Sequence, residues 1–274
     1  MSDQPELLAA AREAALETGR MLRSALAEEV RISFKGEVDL VTQFDGRAQQ
    51  MIDARLRARF PAFGILAEEG LSRDTGSPYR WIVDPIDGTT NFAHRFPVFS
   101  VSIALEKDGE GLLGVVYDPM RDEMFWAVRG GGAFLNGAPV RVSATRDVGR
   151  SLVATGFPYD LRVSPENNVR HFNNFILRVQ AVRRCGSAAL DLSYVACGRF
   201  DGFWELKLKP WDVAAGALIV REAGGRVSDF AGGGVPSFHS DLVATNGLIH
   251  DGMLEIIRLG EDGPAGEAPA EAGR

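Results

Sequence analysis

Residues 81–92 read Trp-Ile-Val-Asp-Pro-Ile-Asp-Gly-Thr-Thr-Asn-Phe. The apolar run Trp81-Ile82-Val83 has the pattern of a buried strand, and it ends at Asp84. Pro85 holds the residue before it extended and cannot donate to a sheet ladder. Asp87 follows, and Gly88-Thr89-Thr90-Asn91 then reads as a turn entering a helix. Carboxylates bind hard cations through oxygen. The N–H groups at a helix start, here Gly88 and Thr89, bind an anion. A cation and an anion at one strand mouth predict a phosphate ester held on magnesium. An Asp-rich turn with a helix cap accounts for one acid; two like charges side by side at a buried strand are costly without a counter-charge.

The surroundings of this stretch read as alternating sheet and helix. FGILAEE (63–69), SVSIALE (100–106), LLGVVYD (112–118) and EMFWAV (123–128) are short apolar or alternating runs, the strand signature. Asn136-Gly137, between AFL and APVRV, predicts a tight hairpin turn. Upstream, helical spacing of Leu8, Ala11, Ala15, Leu22 and Ala25 predicts a helix over 6–27. Phe44, Ala48, Met51, Ile52 and Leu56 predict a second over 43–59, stopped by Pro61. Downstream, SLVATGF, AVRRCG, FDGFWEL, RVSDF and LVATN read as strands. Between them lie four predicted helices. One is capped by Ser164-Pro165 with Val169, Phe172, Ile176 and Val179 inward; one is SAALDLSYVA, ending at Gly198; one is PWDVAAGALIVREA, ending at Gly224; and the last is capped by Asn246 and runs to Leu259. Interleaved helices and strands predict sheets layered with helices.

Other acids stand at element ends. Glu68-Glu69 closes the FGILA strand, Asp212 sits in the first turn of an apolar helix, and Asp45 follows Thr42 by three positions. Each has a structural explanation when taken alone: a solvated turn, the helix macrodipole, and a capping box. Together they outline a site. The Gly-rich pieces 130–134 and 231–235 lack the Lys-Ser/Thr of a nucleotide loop and read as turns.

Composition limits the function classes. The 274 residues carry 30 Lys and Arg against 37 Asp and Glu, a formal charge of −7. That balance disfavours direct nucleic-acid binding and an anionic membrane surface. No apolar run reaches the length of a membrane span, and the N-terminus lacks a signal-peptide pattern, so a cytoplasmic protein is expected. Cys185 and Cys197 read as free thiols filling the core. Residues 260–274 contain no Leu, Ile, Val or aromatic residue and are expected to be a disordered acidic tail.

The motifs WIVDPIDGTTNFAHRFPVFSVSIAL, ILAEEG, VDLVTQFD and PWDVAAGALIVREAGG resemble those of the inositol monophosphatase family. GSAALDLSYVACGRFDGFWE resembles its bacterial members in particular. The likeness spans about Leu8 to Leu259, so residues 1–259 are expected to form a single catalytic domain. It implies an α+β layered αβαβα sandwich, inositol monophosphatase/fructose bisphosphatase-like. It further implies a phosphatase with two or three Mg2+ ions per active site, inhibited by lithium, acting on a small-molecule phosphomonoester as a homodimer. Carried over residue by residue, the metal ligands are Glu68, Asp84, the Ile86 carbonyl, Asp87 and Asp212. Glu68 also helps activate the attacking water, Thr89 orients it, and Asp45 supports Thr89. Gly88 and Thr89 present amides to the phosphate. Asp87, Ala188, Glu205 and Asp212 face the polyol. Lys35 resembles a lysine of a mobile loop near the site, although that loop is one residue shorter here than in some relatives. His94 has no role in the family pattern.

Three other readings compete. DGT after an earlier Asp resembles a haloacid-dehalogenase phosphatase, but that class needs its nucleophile at position 85, which is Pro. A sugar or nucleotide bisphosphate phosphatase of the same family would vary the residues after DGT, and Thr90-Asn91-Phe92 looks most like the monophosphatase branch. A regulatory protein binding transcription machinery, as some bacterial relatives do, could use Arg183 and Arg184, which could equally pair with acids across a dimer interface.

Overall fold

The computed structural model describes residues 4–34, 40–234 and 241–259. The first part of the chain forms α1 (Gln4–Ala25), β1 (Ile32–Phe34), β2 (Leu40–Thr42), α2 (Gln43–Arg59), β3 (Gly64–Ala67), β4 (Ser72–Arg73), β5 (Tyr79–Asp87), α3 (Thr89–Ala93), β6 (Ser100–Lys107) and β7 (Glu110–Asp118). It continues through β8 (Glu123–Val128), β9 (Ala133–Leu135), β10 (Ala138–Val140), β11 (Leu152–Thr155), α4 (Val169–Ile176) and β12 (Ala181–Arg183). The remainder is α5 (Ala188–Ala196), β13 (Gly202–Glu205), α6 (Pro210–Glu222), β14 (Arg226–Ser228), β15 (Leu242–Thr245) and α7 (His250–Arg258).

These elements stack in five layers, the αβαβα sandwich. An eight-stranded sheet runs β10-β9-β8-β7-β6-β5-β3-β4, and a five-stranded sheet runs β12-β11-β13-β15-β14. The two-residue period of β6 sets which face meets which helices. Val101, Ile103 and Leu105 point into the cluster made by Leu7, Ala11 and Leu22 of α1 and Phe44 and Ile52 of α2. Ala104 points the other way, into the central cluster of Leu190, Leu192, Val213, Ile219 and Val220 from α5 and α6. Phe203 and Ala244 of the second sheet close that central layer. Trp204 and Val243 face outward onto Phe175 of α4 and Met253 and Leu254 of α7.

The predicted strands and most helices form where the pattern places them. Asn136 and Gly137 both have positive φ, 49° and 85°, as a tight hairpin turn requires. Three details differ. Leu7, not Leu8, is the buried leucine that opens the core face of α1. The helix expected after Ser164-Pro165 begins only at Val169, with Asn168 in the left-handed region at φ 68°, and its buried face is His171 and Phe175. Val169 and Ile176 are exposed, because the inward row is His171 and Phe175, four residues apart, which pack on Phe230 and Trp204. Asn246 does not cap α7; its Oδ1 accepts the N–H groups of Leu248 and Ile249 in the turn before the helix starts. Within 130–134 the amides of Gly130 and Gly132 donate to the Glu222 carboxylate at 2.9 and 3.0 Å, so an internal carboxylate occupies that turn. Cys185 and Cys197 are free and half-buried. No helix among the described residues is long and apolar enough to cross a membrane. Lys35 and the tail from 260 lie outside the described residues.

Candidate active site

Pro85 shapes the site from the backbone outward. β5 pairs with β6 in regular register from Tyr79 to Asp84, and the register shifts before Asp87 meets Ser100. A proline has no N–H for the ladder, and the resulting bulge re-aims the residues around it. Asp84 thus leaves the sheet with its carboxylate accepting the Ile86 N–H at 3.0 Å. Gly88 then turns the chain at φ 98° into α3. A Cβ there would lie 3.0 Å from the Gly186 carbonyl oxygen and 3.1 Å from that of Val98, so only glycine fits both the dihedral and the space.

A cavity of about 400 Å³ opens at this bend. Glu68, Asp84, Ile86, Asp87, Gly88 and Thr89 line it. Ala188, Glu205 and Asp212 line it as well, so the residues read from four separate motifs meet in one place. Asp45 stands behind this wall, fully buried. Its Oδ2 accepts the Thr42 N–H at 2.8 Å and hydroxyl at 2.6 Å, closing the capping box of α2. Its Oδ1 accepts the Thr89 hydroxyl at 3.0 Å. One carboxylate therefore serves the cap and the site together. His94 is exposed at the end of α3 and is absent from the cavity wall.

The electrostatics of the acids is strained. Burial first, and then the charges of Glu68, Asp87 and Asp212, hold the Asp84 carboxyl well above the usual carboxylate range. Asp212 is likewise held well above it by burial, with Asp87, Glu68 and Glu205 adding to the effect and the Lys209 N–H at 2.6 Å opposing it. Burial raises Asp87 as well, but donors pull it back: the Ser187 hydroxyl, the Ala189 and Ala188 N–H groups at 2.9 and 3.2 Å, and the Ser100 hydroxyl at 3.3 Å. The N–H of Ala188, a residue that the resemblance sets against the polyol, is thus engaged by Asp87. Burial pushes Glu205 up to about 8, against the opposing charge of Arg184.

Like charges gathered in a buried cleft call for cations. Carboxylates, carbonyls and hydroxyls supply the oxygen donors of the wall, beside Arg184, Lys207 and Lys209, and the described residues put no thiol or imidazole there, which suits a hard ion such as magnesium. Among the described residues no three acids, histidines or cysteines close into a finished cage. These residues fit divalent cations.

Sequence reasoning missed several parts of the site. Ser187 caps α5 and holds Asp87; its position before a helix of small residues was the available signal. Arg184, which the sequence directed to a partner contact, lines the cavity. Asp191 also lines it, one turn into α5, buried and held well above the usual range by burial. Nothing in the local pattern distinguishes it from a solvent-facing acid of a helix.

Comparison with known proteins agrees with this fold. The family model described as the inositol monophosphatase family matches residues 3–260. An inositol-1-monophosphatase of Mesorhizobium japonicum is 44% identical over 249 residues, covering 90% of this chain and 94% of that protein. The Nus factor SuhB of Escherichia coli K12 is 45% identical over 232 residues, 84% of this chain and 87% of its own. The crystal structure of the extragenic suppressor protein suhB from Bartonella henselae superposes with a TM-score of 0.87 at 42% identity, covering 93% of this chain and 99% of that one. The chain belongs to the inositol monophosphatase family.

Proposed function

We propose that this chain is a magnesium-dependent phosphomonoesterase that hydrolyses inositol monophosphate to inositol and phosphate by direct attack of water. The observation that carries the proposal is the meeting, in one cavity, of four mutually opposed carboxyls and Thr89, whose hydroxyl is backed by the buried Asp45. Glu68, Asp84, the Ile86 carbonyl, Asp87 and Asp212 would hold the ions. Bound there, magnesium supplies positive charge to the phosphoryl oxygens and lowers the pKa of water. The chain's own groups do the rest. The Thr89 hydroxyl lies between Asp45 Oδ1 at 3.0 Å and the Ile86 carbonyl at 2.9 Å; it donates its one hydrogen to these acceptors and accepts one from the attacking water. Glu68 takes up the proton that the water loses. The N–H groups of Gly88 and Thr89, at the start of α3, hold the phosphate oxygens. Glu205, whose buried carboxyl can both accept and, when protonated, donate, reads hydroxyls of the polyol leaving group, and a substrate hydroxyl competes with Asp87 for the Ala188 amide. No covalent phosphoenzyme forms, since Pro85 occupies the place a nucleophilic Asp would need. A homodimer in the cytoplasm belongs to the same reading.

Initial rates on inositol monophosphate, fructose bisphosphate and adenosine bisphosphate across a lithium series test it. The expected result is preference for inositol monophosphate with uncompetitive inhibition by lithium. Preference for the nucleotide, or indifference to lithium, places the chain in another branch of the family.

A further inference from the structure

Asn168 lies outside the cavity, yet it holds the wall against which Glu205 rests. It is 2% exposed, and every polar atom of its side chain is used. The Trp204 indole N–H can only donate, which fixes the Asn168 atom facing it, at 2.9 Å, as Oδ1. Nδ2 then donates to the Thr155 hydroxyl at 2.8 Å and to the Gly156 carbonyl at 2.5 Å. Thr155 passes its own hydrogen to the Trp204 carbonyl at 2.6 Å. One amide therefore ties the end of β11 to the end of β13, where Thr155 pairs with Trp204 in parallel register.

The next residue on each strand is where this matters. Gly156 and Glu205 both line the cavity. The Glu205 carboxylate lies against the Gly156 Cα so closely that a Cβ there would overlap both carboxylate oxygens. The space belongs to Glu205 only while Gly156 has no side chain and while the strand end stays in place. Asn168 keeps it in place, and Asn tolerates the left-handed φ of 68° that puts it there.

We propose that Asn168 and Gly156 are positioning residues for Glu205 and thereby set the discrimination between hydroxyl-bearing and plain leaving groups. The inference rests on the reading of Glu205 as the group that meets the polyol.

The test compares kcat/KM for inositol 1-phosphate with that for p-nitrophenyl phosphate, whose leaving group offers no hydroxyl array. Wild type, Glu205→Gln, Gly156→Ala and Asn168→Asp are measured with magnesium. Asn168→Asp keeps the acceptor for Trp204 and removes both Nδ2 donors. Gly156→Ala meets only the end of a flexible side chain, so it keeps the fold should the buried Asp variant not. The expected result is a fall of about tenfold in the polyol-to-aryl ratio for all three variants, the scale of one hydrogen bond. In Asn168→Asp it appears in KM for inositol 1-phosphate, with kcat on the aryl ester within about twofold of wild type, a split that general destabilisation does not produce. If Glu205→Gln collapses the ratio while Gly156→Ala retains it, the positioning role is overturned and the reading of Glu205 stands. If wild type and Glu205→Gln share one ratio, Glu205 does not read hydroxyls, and the inference falls with that reading.

Discussion

The Oδ1 atom of Asp45 accepts the hydroxyl of Thr89 at 3.0 Å, joining the first turn of α2 to the first turn of α3. Because the other oxygen of Asp45 is held by Thr42, the carboxylate cannot rotate away from Thr89. Thr89→Val keeps the shape and deletes the hydroxyl. We expect kcat for phosphate release to fall by a hundredfold or more, as for loss of a positioned proton acceptor. Thr89→Ser should return to within about tenfold of wild type. Activity near wild type in Val together with a loss in Ser would mean that the methyl group, not the hydroxyl, matters at this position.

Gly88→Ala tests the turn. Its φ of 98° and the carbonyl oxygens of Gly186 and Val98 at 3.0 and 3.1 Å from a Cβ leave no room for a methyl group. The dihedral alone costs about 1–2 kcal/mol. A lowered urea midpoint together with loss of activity is expected. A variant as stable and active as wild type would show that the bend is not fixed by this residue.

The strands, the α6 helix and the acids were readable because each depends on a local period or an element end. Asp84 and Asp87 announced themselves beside Pro85, which breaks the ladder wherever it falls. The start of α4 was not readable, because Asn168 is placed by Trp204 and Thr155, which are distant in sequence and unremarkable in their own neighbourhoods. The double duty of Asp45 was visible from two sources. The three-residue spacing to Thr42 predicted the capping box, while the bond to Thr89, which depends on how α2 and α3 pack, was legible only through the family resemblance. Arg184 read as surface charge, since nothing in Arg-Arg-Cys-Gly tells which arginine turns toward the cavity.

His250 predicts a pH dependence of stability. It is buried between the Ser228 hydroxyl at 2.8 Å and the Thr245 hydroxyl at 3.0 Å. Burial, with Arg226 adding to it, lowers its pKa from 6.5 to about 4. The folded chain thus holds it neutral where the unfolded chain binds a proton. Its contribution is present above pH 6.5 and is lost as the pH falls toward 4. Between pH 7 and 4.5, wild type should lose about 2 kcal/mol more unfolding free energy than His250→Gln. Parallel curves for the two proteins would refute this.

Asp84→Asn separates charge repulsion from catalysis. The variant removes one of the opposed carboxyls. Without divalent cation its melting temperature should exceed that of wild type, and added magnesium should raise it less. Activity should be lower by a hundredfold or more, the scale of losing a main electrostatic contact to the transition state. A lower melting temperature in the cation-free state would mean that Asp84 is satisfied as it stands.

The central claim is that the acids around this cavity act by holding divalent cations. The direct measurement is phosphate release from inositol 1-phosphate by one preparation, first in magnesium, then in excess chelator, then with magnesium restored, with circular dichroism recorded at each stage. The account predicts activity in the first and third stages, none in the second, and an unchanged fold throughout, because the layered core does not depend on the ion. Undiminished turnover in excess chelator would contradict it.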